Sequence, residues 1–246
     1  MPYAKTAHGV ETYFETIGSG QPVLLLHGGF CSMEMMRGQA ESLADRYAVS
    51  SPERPGHGRT ADQEGPMSYA GGVDDTLSFM DAAGIERAHV VGFSDGAIIA
   101  LLLALEHPDR IRSLVAISGN LTPAGVEEPD DDSDEPDENW ERLRAEYDAL
   151  SPDGAAHGEV VLEKMLTMWR AEPDIDPAAL QRLTLPTMIM AGDRDVIRAD
   201  HTRLIADSIP GAHLCIVPGA SHMLLRERPA LVNLALHEFL DEAAQR

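Results

Sequence analysis

The chain predicts an α/β fold, a mostly parallel central sheet flanked by helices and carrying an inserted helical segment. Three observations carry that expectation. Short apolar runs of strand length alternate with stretches of helical periodicity along most of the sequence. The five residues Gly92-Phe93-Ser94-Asp95-Gly96 stand between one such run, Ala88-His89-Val90-Val91, and one such helix, Ala97-Ile98-Ile99-Ala100-Leu101. Between Asn120 and about Arg182 the rhythm of strands breaks.

Taken in order, Tyr3 to about Ile17 reads as a hairpin-like start closed by the turn Gly18-Ser19-Gly20. Pro22 to Leu26 is apolar throughout and too short for a helix, so it is a strand buried on both faces. A helix is expected from about Ser32 to Ala44, and a strand over Tyr47 to Ser50. The next helix, Ser68 to Ala83, ends before Gly84, a residue suited to a left-handed cap. The helix after Gly96 stops at His107-Pro108; further strands follow at Ile111–Ile117, Pro186–Ala191 and His213–Val217, with a closing helix from about Pro229 to Ala243.

With 246 residues, 43% of them hydrophobic, the chain suits one α/β unit with an insertion. Residues 1–120 and 182–246 form its expected core, and 121–181 a helical cap. Within the cap, nine of the twelve residues from Glu127 to Glu138 are Asp or Glu, a run expected to be a disordered or mobile loop. In the second helical stretch beyond it, Val161, Met165, Met168 and Trp169 share one face. An insertion there would lie over the strand ends, where open α/β sheets bind ligands.

A net charge of −22 repels phosphates and argues against nucleic acid or an anionic membrane surface as partner. No basic stretch followed by an apolar run opens the chain, and no segment approaches the roughly 20 apolar residues that span a bilayer, so a soluble, cytoplasmic protein is expected. Cys31 and Cys215 have neither metal-ligand spacing nor a second pair, which predicts neither disulfide nor zinc. A homodimer is compatible with the sequence, which does not fix the oligomeric state.

The pattern at Gly92 to Gly96 fits a nucleophile elbow. A serine hydroxyl attacks a carbonyl only if it projects alone into a cleft; a sharp strand-to-helix turn does this when its flanking positions have almost no side chain. With this elbow, the chain resembles the serine α/β-hydrolases over all but the middle of the insertion. His27-Gly28-Gly29-Phe30 resembles their oxyanion loop, and Arg54-Pro55-Gly56-His57-Gly58-Arg59-Thr60 their P-G-x-G-x-S turn. Gly192-Asp193-Arg194-Asp195 resembles the turn that carries the acid, and Gly219-Ala220-Ser221-His222 the turn that carries the base. The Ser-Asp-Gly form of the elbow is closest in appearance to valacyclovir-hydrolase-like esterases.

The resemblance implies an α/β-hydrolase fold and a triad of Ser94, Asp195 and His222. Chemistry agrees: a serine needs a base, the base an orienting carboxylate, and each of the three follows a predicted strand. Asp193 competes for the acid role, although the motif places the acid fourth and leaves Asp193 to bind loop backbone. The tip Ile117-Ser118-Gly119-Asn120 offers no carboxylate. His27 and His57 lie in motifs where histidine braces a loop. Gly29 and Asp95 are the expected oxyanion-hole donors, with Phe30 an alternative to Gly29. Phe30, Met33, Met36, Trp169 and Met223 either line an acyl pocket or are plain core. Asp95 either attracts cationic substrates or merely occupies the first turn of its helix.

The expected function is cleavage of a small carboxylic ester, the small-molecule partner, through an acyl-enzyme and without metal or organic cofactor. Amide, lactone or diketone cleavage, or a non-turnover receptor on the same fold, are the alternatives.

Overall fold

The computed structural model describes residues 3–7, 9–127 and 138–245. The acidic run expected to be mobile lies, apart from Glu127 and Glu138, outside the described residues. β1 (Tyr3–Lys5) pairs antiparallel with β2 (Glu11–Gly18), and β2 antiparallel with β4 (Tyr47–Pro52). The remaining strands are parallel to β4: β3 (Gln21–Leu26), β5 (Ala88–Phe93), β6 (Ile111–Ile117), β7 (Thr187–Arg194) and β8 (His213–Ser221). They form one sheet in the order β1-β2-β4-β3-β5-β6-β7-β8. The chain leaves β3 towards β4 and returns on its other side as β5, so a crevice opens at the C-terminal ends of β3 and β5.

Apolar runs of strand length become central strands because both faces of the sheet are covered. Leu24, Leu26, Val90 and Leu114 face one layer with α2 (Tyr69–Ala82), α3 (Asp95–Glu106) and α6 (Ala199–Ser208). Their neighbours Val23, Leu25, Val91 and Val115 face the other, with α1 (Arg37–Leu43), α7 (Leu224–Glu227) and α8 (Pro229–Ala243). Residues between β6 and β7 supply α4 (Glu138–Leu150) and α5 (Gly158–Ala171), and Val161, Met165 and Met168 of α5 are buried as their spacing predicts.

Two local expectations change. The helix expected over Ser32 to Ala44 divides into a 3₁₀ turn, Met33–Met36, and α1. Ser32 caps that turn by accepting the Glu34 N–H, and a turn with three residues per revolution carries Met33 and Met36 to the same side, where both are buried. β7 and β8 extend beyond their apolar runs to Arg194 and Ser221, so the polar turns sought for the acid and base continue the strands. Gly84 adopts the left-handed conformation expected of it, with φ +70°.

Candidate active site

The sharpest turn in the sheet is at Ser94. It joins β5 to α3 with φ +52° and ψ −119°, and its N–H donates to Ile117 O at 2.8 Å. A bulkier backbone cannot make this turn: a Cβ on Gly92 would stand 2.1 Å from Gly96 O, and one on Gly96 2.0 Å from Leu26 O. The two glycines let the helix start press against β3 and β5 while the serine side chain stays half-buried at the crevice.

His222 lies just beyond β8. Its Nε2 is 3.1 Å from Ser94 Oγ and its Nδ1 2.7 Å from Asp195 Oδ1. A carboxylate can only accept, so the Nδ1–H is on the aspartate side and the Nε2 lone pair faces the serine hydroxyl. Asp195 is buried and receives three further donors: the Ser118 hydroxyl, the Ile197 N–H at 3.1 Å and the Gly192 N–H at 3.4 Å. Burial pushes its carboxyl pKa up, but His222, Ser118 and the Ile197 N–H outweigh burial and leave it below its ordinary value. Asp193 accepts the Ala220 N–H at 3.0 Å, which ties it to the loop backbone, as the loop-binding alternative had it. Ser118, at the strand tip with no carboxylate, had no signal in the sequence; it supports the acid from the neighbouring strand.

Beside the Asp95 side chain lies Gly29, where an added Cβ would stand 2.5 Å from Oδ2. Its N–H enters none of the hydrogen bonds among the described residues, and the Asp95 N–H, first in α3, has no intrahelical acceptor. Among the described residues the Phe30 N–H is equally unengaged, so Asp95 and either Gly29 or its alternative Phe30 offer donors to an oxyanion. The Asp95 side chain is not free: Oδ1 accepts from Tyr69 Oη at 2.9 Å and from Trp169 Nε1 at 3.0 Å, Oδ2 lies 3.2 Å from the same indole nitrogen, and the Arg54 guanidinium is 3.9 Å away. An anion so matched, with a cation beside it, is a poor receptor for a substrate amine. Arg54 also donates to Gly28 O at 3.0 Å. His27 braces the same loop, its Nδ1 2.8 Å from Gly28 O and its Nε2 accepting the Arg54 N–H at 3.1 Å. Burial holds His27 far below the usual histidine range and pushes His57 down to about 3, so both are neutral braces.

The five candidate pocket residues divide. Phe30, Met33 and Met36 are buried in the core; Trp169 and Met223 are half-buried. Phe30 stacks on Trp140 and Tyr147 of α4, each at 5.0 Å between ring centres. None of the five borders the cavity of about 220 Å³ beside Asp95, whose walls include Arg54, His57, Tyr69, Ile99 and Met168 but neither Ser94 nor His222. Cys31 is a buried free thiol whose pKa burial pushes up to about 12, and Cys215 is also free. No group of three or more His, Cys, Asp or Glu able to hold a metal ion is found among the described residues. Among them, no helix is long and apolar enough to cross a membrane.

Residues 21–167 match the family model of the alpha/beta hydrolase fold, and the chain belongs to that family. A protein of Azorhizobium caulinodans named carbamate hydrolase RutD is 40% identical over 121 residues, which are 48% of this chain. The chain thus spans less than half of that relative, 44% of its length. A Caulobacter sp. protein of the same name is 28% identical over 91% of this chain and 92% of its own. Among solved structures, a thermophilic esterase from Thermogutta terrifontis is 26% identical, with a TM-score of 0.75 and 98% of each chain covered. These relatives support hydrolase function and give no specific support to the valacyclovir-hydrolase-like subgroup.

Proposed function

We propose that the protein is a serine hydrolase that cleaves a small carboxylic ester through an acyl-enzyme on Ser94. The observation that supports this reading best is the continuous chain Ser94–His222–Asp195, with hydrogen-bond distances of 3.1 and 2.7 Å. In this reading His222 Nε2 takes the serine proton as Oγ attacks the ester carbonyl, and Asp195 holds the tautomer and stabilises the imidazolium that forms. The N–H groups of Gly29 and Asp95 stabilise the tetrahedral oxyanion. Collapse expels the alcohol with the proton returned by His222, and water repeats the sequence on the acyl-enzyme. The segment 121–181 acts as the cap, since its aromatic residues cover the oxyanion loop.

The names of the relatives favour one second reading on the same machinery, cleavage of a carbamate, whose carbonyl meets serine and oxyanion donors in the same way. A panel of p-nitrophenyl esters, carbamates, amides and lactones, with Ser94→Ala as blank, decides between them. A fluorophosphonate should label Ser94. Labelling elsewhere, or turnover that survives Ser94→Ala, refutes the acyl-serine mechanism; carbamate turnover faster than any ester replaces the substrate class alone.

A further inference from the structure

We propose that the helical insertion assembles the oxyanion hole, with each of the chain's two tryptophans acting as the positioning residue for one of the two backbone donors. The inference rests on the reading of Gly29 and Asp95 as those donors. Both tryptophans, Trp140 and Trp169, belong to the insertion, one on α4 and one on α5.

Trp169 governs the Asp95 side. Its indole N–H bridges both carboxylate oxygens, at 3.0 and 3.2 Å, of the residue whose own N–H opens α3. Tyr69 of α2 supplies the other donor at 2.9 Å, so the carboxylate is held between core and insertion. The same indole presses on the second donor: a Cβ on Gly29 would stand 2.6 Å from Trp169 Cζ2, 2.8 Å from Met165 Cε and 2.5 Å from Asp95 Oδ2. The space beside Gly29 is filled by Asp95 and by two side chains of the insertion.

Trp140 governs the turn that follows Gly29. Phe30 has φ +50°, a conformation a bulky side chain rarely keeps unless its surroundings impose it. Here the surroundings are α4: the Phe30 ring lies at 24° to Trp140 and at 10° to Tyr147. The contacts of the base are of a different kind. Among the described residues, no hydrogen bond of Ser94, His222 or Asp195 comes from α4 or α5; their partners are one another, Ser118, Ile117, Gly192, Ile197 and the first turn of α3. Displacing the insertion would leave the nucleophile and base in register and misplace the donors.

Trp169→Phe, which keeps a ring and removes the N–H, tests the Asp95 half, and Trp140→Leu tests the Phe30 half. Hydrolysis of a p-nitrophenyl ester and the affinity for an alkylboronic acid, which forms a tetrahedral adduct on serine, are measured for both; thermal shift reports boronate binding independently of turnover. We expect Trp169→Phe to lower kcat by about tenfold to 100-fold, a fraction of the loss of a whole oxyanion donor. KM should stay within about twofold, boronate affinity should fall by the same factor as kcat, and the midpoint of the pH–rate profile should not move. Asp95→Asn, which retains an acceptor for both Trp169 and Tyr69, should fall much less than Asp95→Ala. A loss confined to KM, or boronate affinity unchanged in both folded tryptophan variants, overturns the proposal and leaves the tryptophans as substrate walls. Failure of the underlying mechanism looks different: the wild-type protein would then bind no boronate, or Ser94→Ala would bind it equally well.

Discussion

The two sides of Ser94 are built by different means. His222 and Asp195 stand on turns that continue β8 and β7, and their hydrogen bonds stay within the sheet and its strand tips. Gly29 and Asp95 are braced instead by long side chains from several elements: Arg54 and His27 beneath the loop, Tyr69 from α2, and Trp169, Trp140 and Tyr147 from the insertion. On the proposed mechanism, proton transfer is anchored in the sheet and charge stabilisation partly in the insertion, so a change of insertion can retune one without dismantling the other.

The largest break in this comparison is on the strand side. His222→Ala and Asp195→Asn should each lower kcat/KM by about 10⁴-fold, and Ser94→Ala by more, while leaving the melting temperature nearly unchanged. Initial rates on an activated ester measure this, and a loss below tenfold for His222→Ala would break the assignment of the base.

A methyl group separates the two sides next. On Gly96 it meets the immovable Leu26 carbonyl at 2.0 Å, so Gly96→Ala should destabilise by about 3 kcal/mol or more and lose activity with folding. On Gly29 it meets only side chains, Asp95, Trp169 and Met165. Gly29→Ala should cost about 1–2 kcal/mol but at least tenfold in kcat. Urea unfolding beside kinetics gives both numbers, and equal losses of stability would erase the distinction.

A smaller effect belongs to Ser118, one of four donors on Asp195. Ser118→Ala should remove about 1–2 kcal/mol of stability and slow turnover about tenfold or less. Because His222 must be neutral to accept a proton, the rate should fall in acid for this variant as for the wild type.

A further effect is spread over pH and carried by no single contact. Burial depresses His27, His57, down to about 3, and His89, down to about 4, so all three fold as neutral imidazoles. In the unfolded chain they bind protons below about pH 6.5, which makes the folded state lose stability as pH falls from there, by at most about 1.4 kcal/mol per pH unit for each. His89 stops contributing near pH 4 and His57 near pH 3. Asp195, whose pKa is lowered, adds its own loss only as pH falls below the ordinary carboxylate range. Urea titrations at pH 7.5, 6 and 5 measure the slope. His89→Gln should flatten it by up to one histidine's share, because its Ser113 and Gln21 partners sit at 2.8 and 2.9 Å and can bond a neutral amide.

Much of this was legible in the sequence for a simple reason. Strand interiors write themselves as apolar runs, and Gly92, Gly96 and the turns bearing Asp195 and His222 are local patterns whose spacing has one good geometric solution. The strand Ile111–Ile117 matches its apolar run to the residue, and the closing helix Pro229–Ala243 falls where its periodicity places it. The partners of Asp95 were not legible, because nothing local joins position 95 to Tyr69 or Trp169, 26 and 74 residues away. The local sequence left Asp95 as either an attractor of cations or a first-turn residue, because the partners of a buried carboxylate come from elsewhere in the fold. Phe30 and the methionines at 33 and 36 fitted a pocket or a core equally well by composition; only the α4 rings and the 3₁₀ turn decide their surroundings.

The closing helix carries a consequence for how the protein comes to life on the ribosome. α8 docks on α1 and the start of β4 through Gln39–Asn233 at 3.2 Å, Ser42–His237 at 3.0 Å and Tyr47–Asp241 at 2.9 Å, contacts that span 194 or 195 residues. A nascent chain that has emerged through α3 already carries Ser94, whereas His222 and α8 emerge later. On the proposed mechanism, such a chain holds the nucleophile without its base, so acylation of Ser94 waits for the later strands.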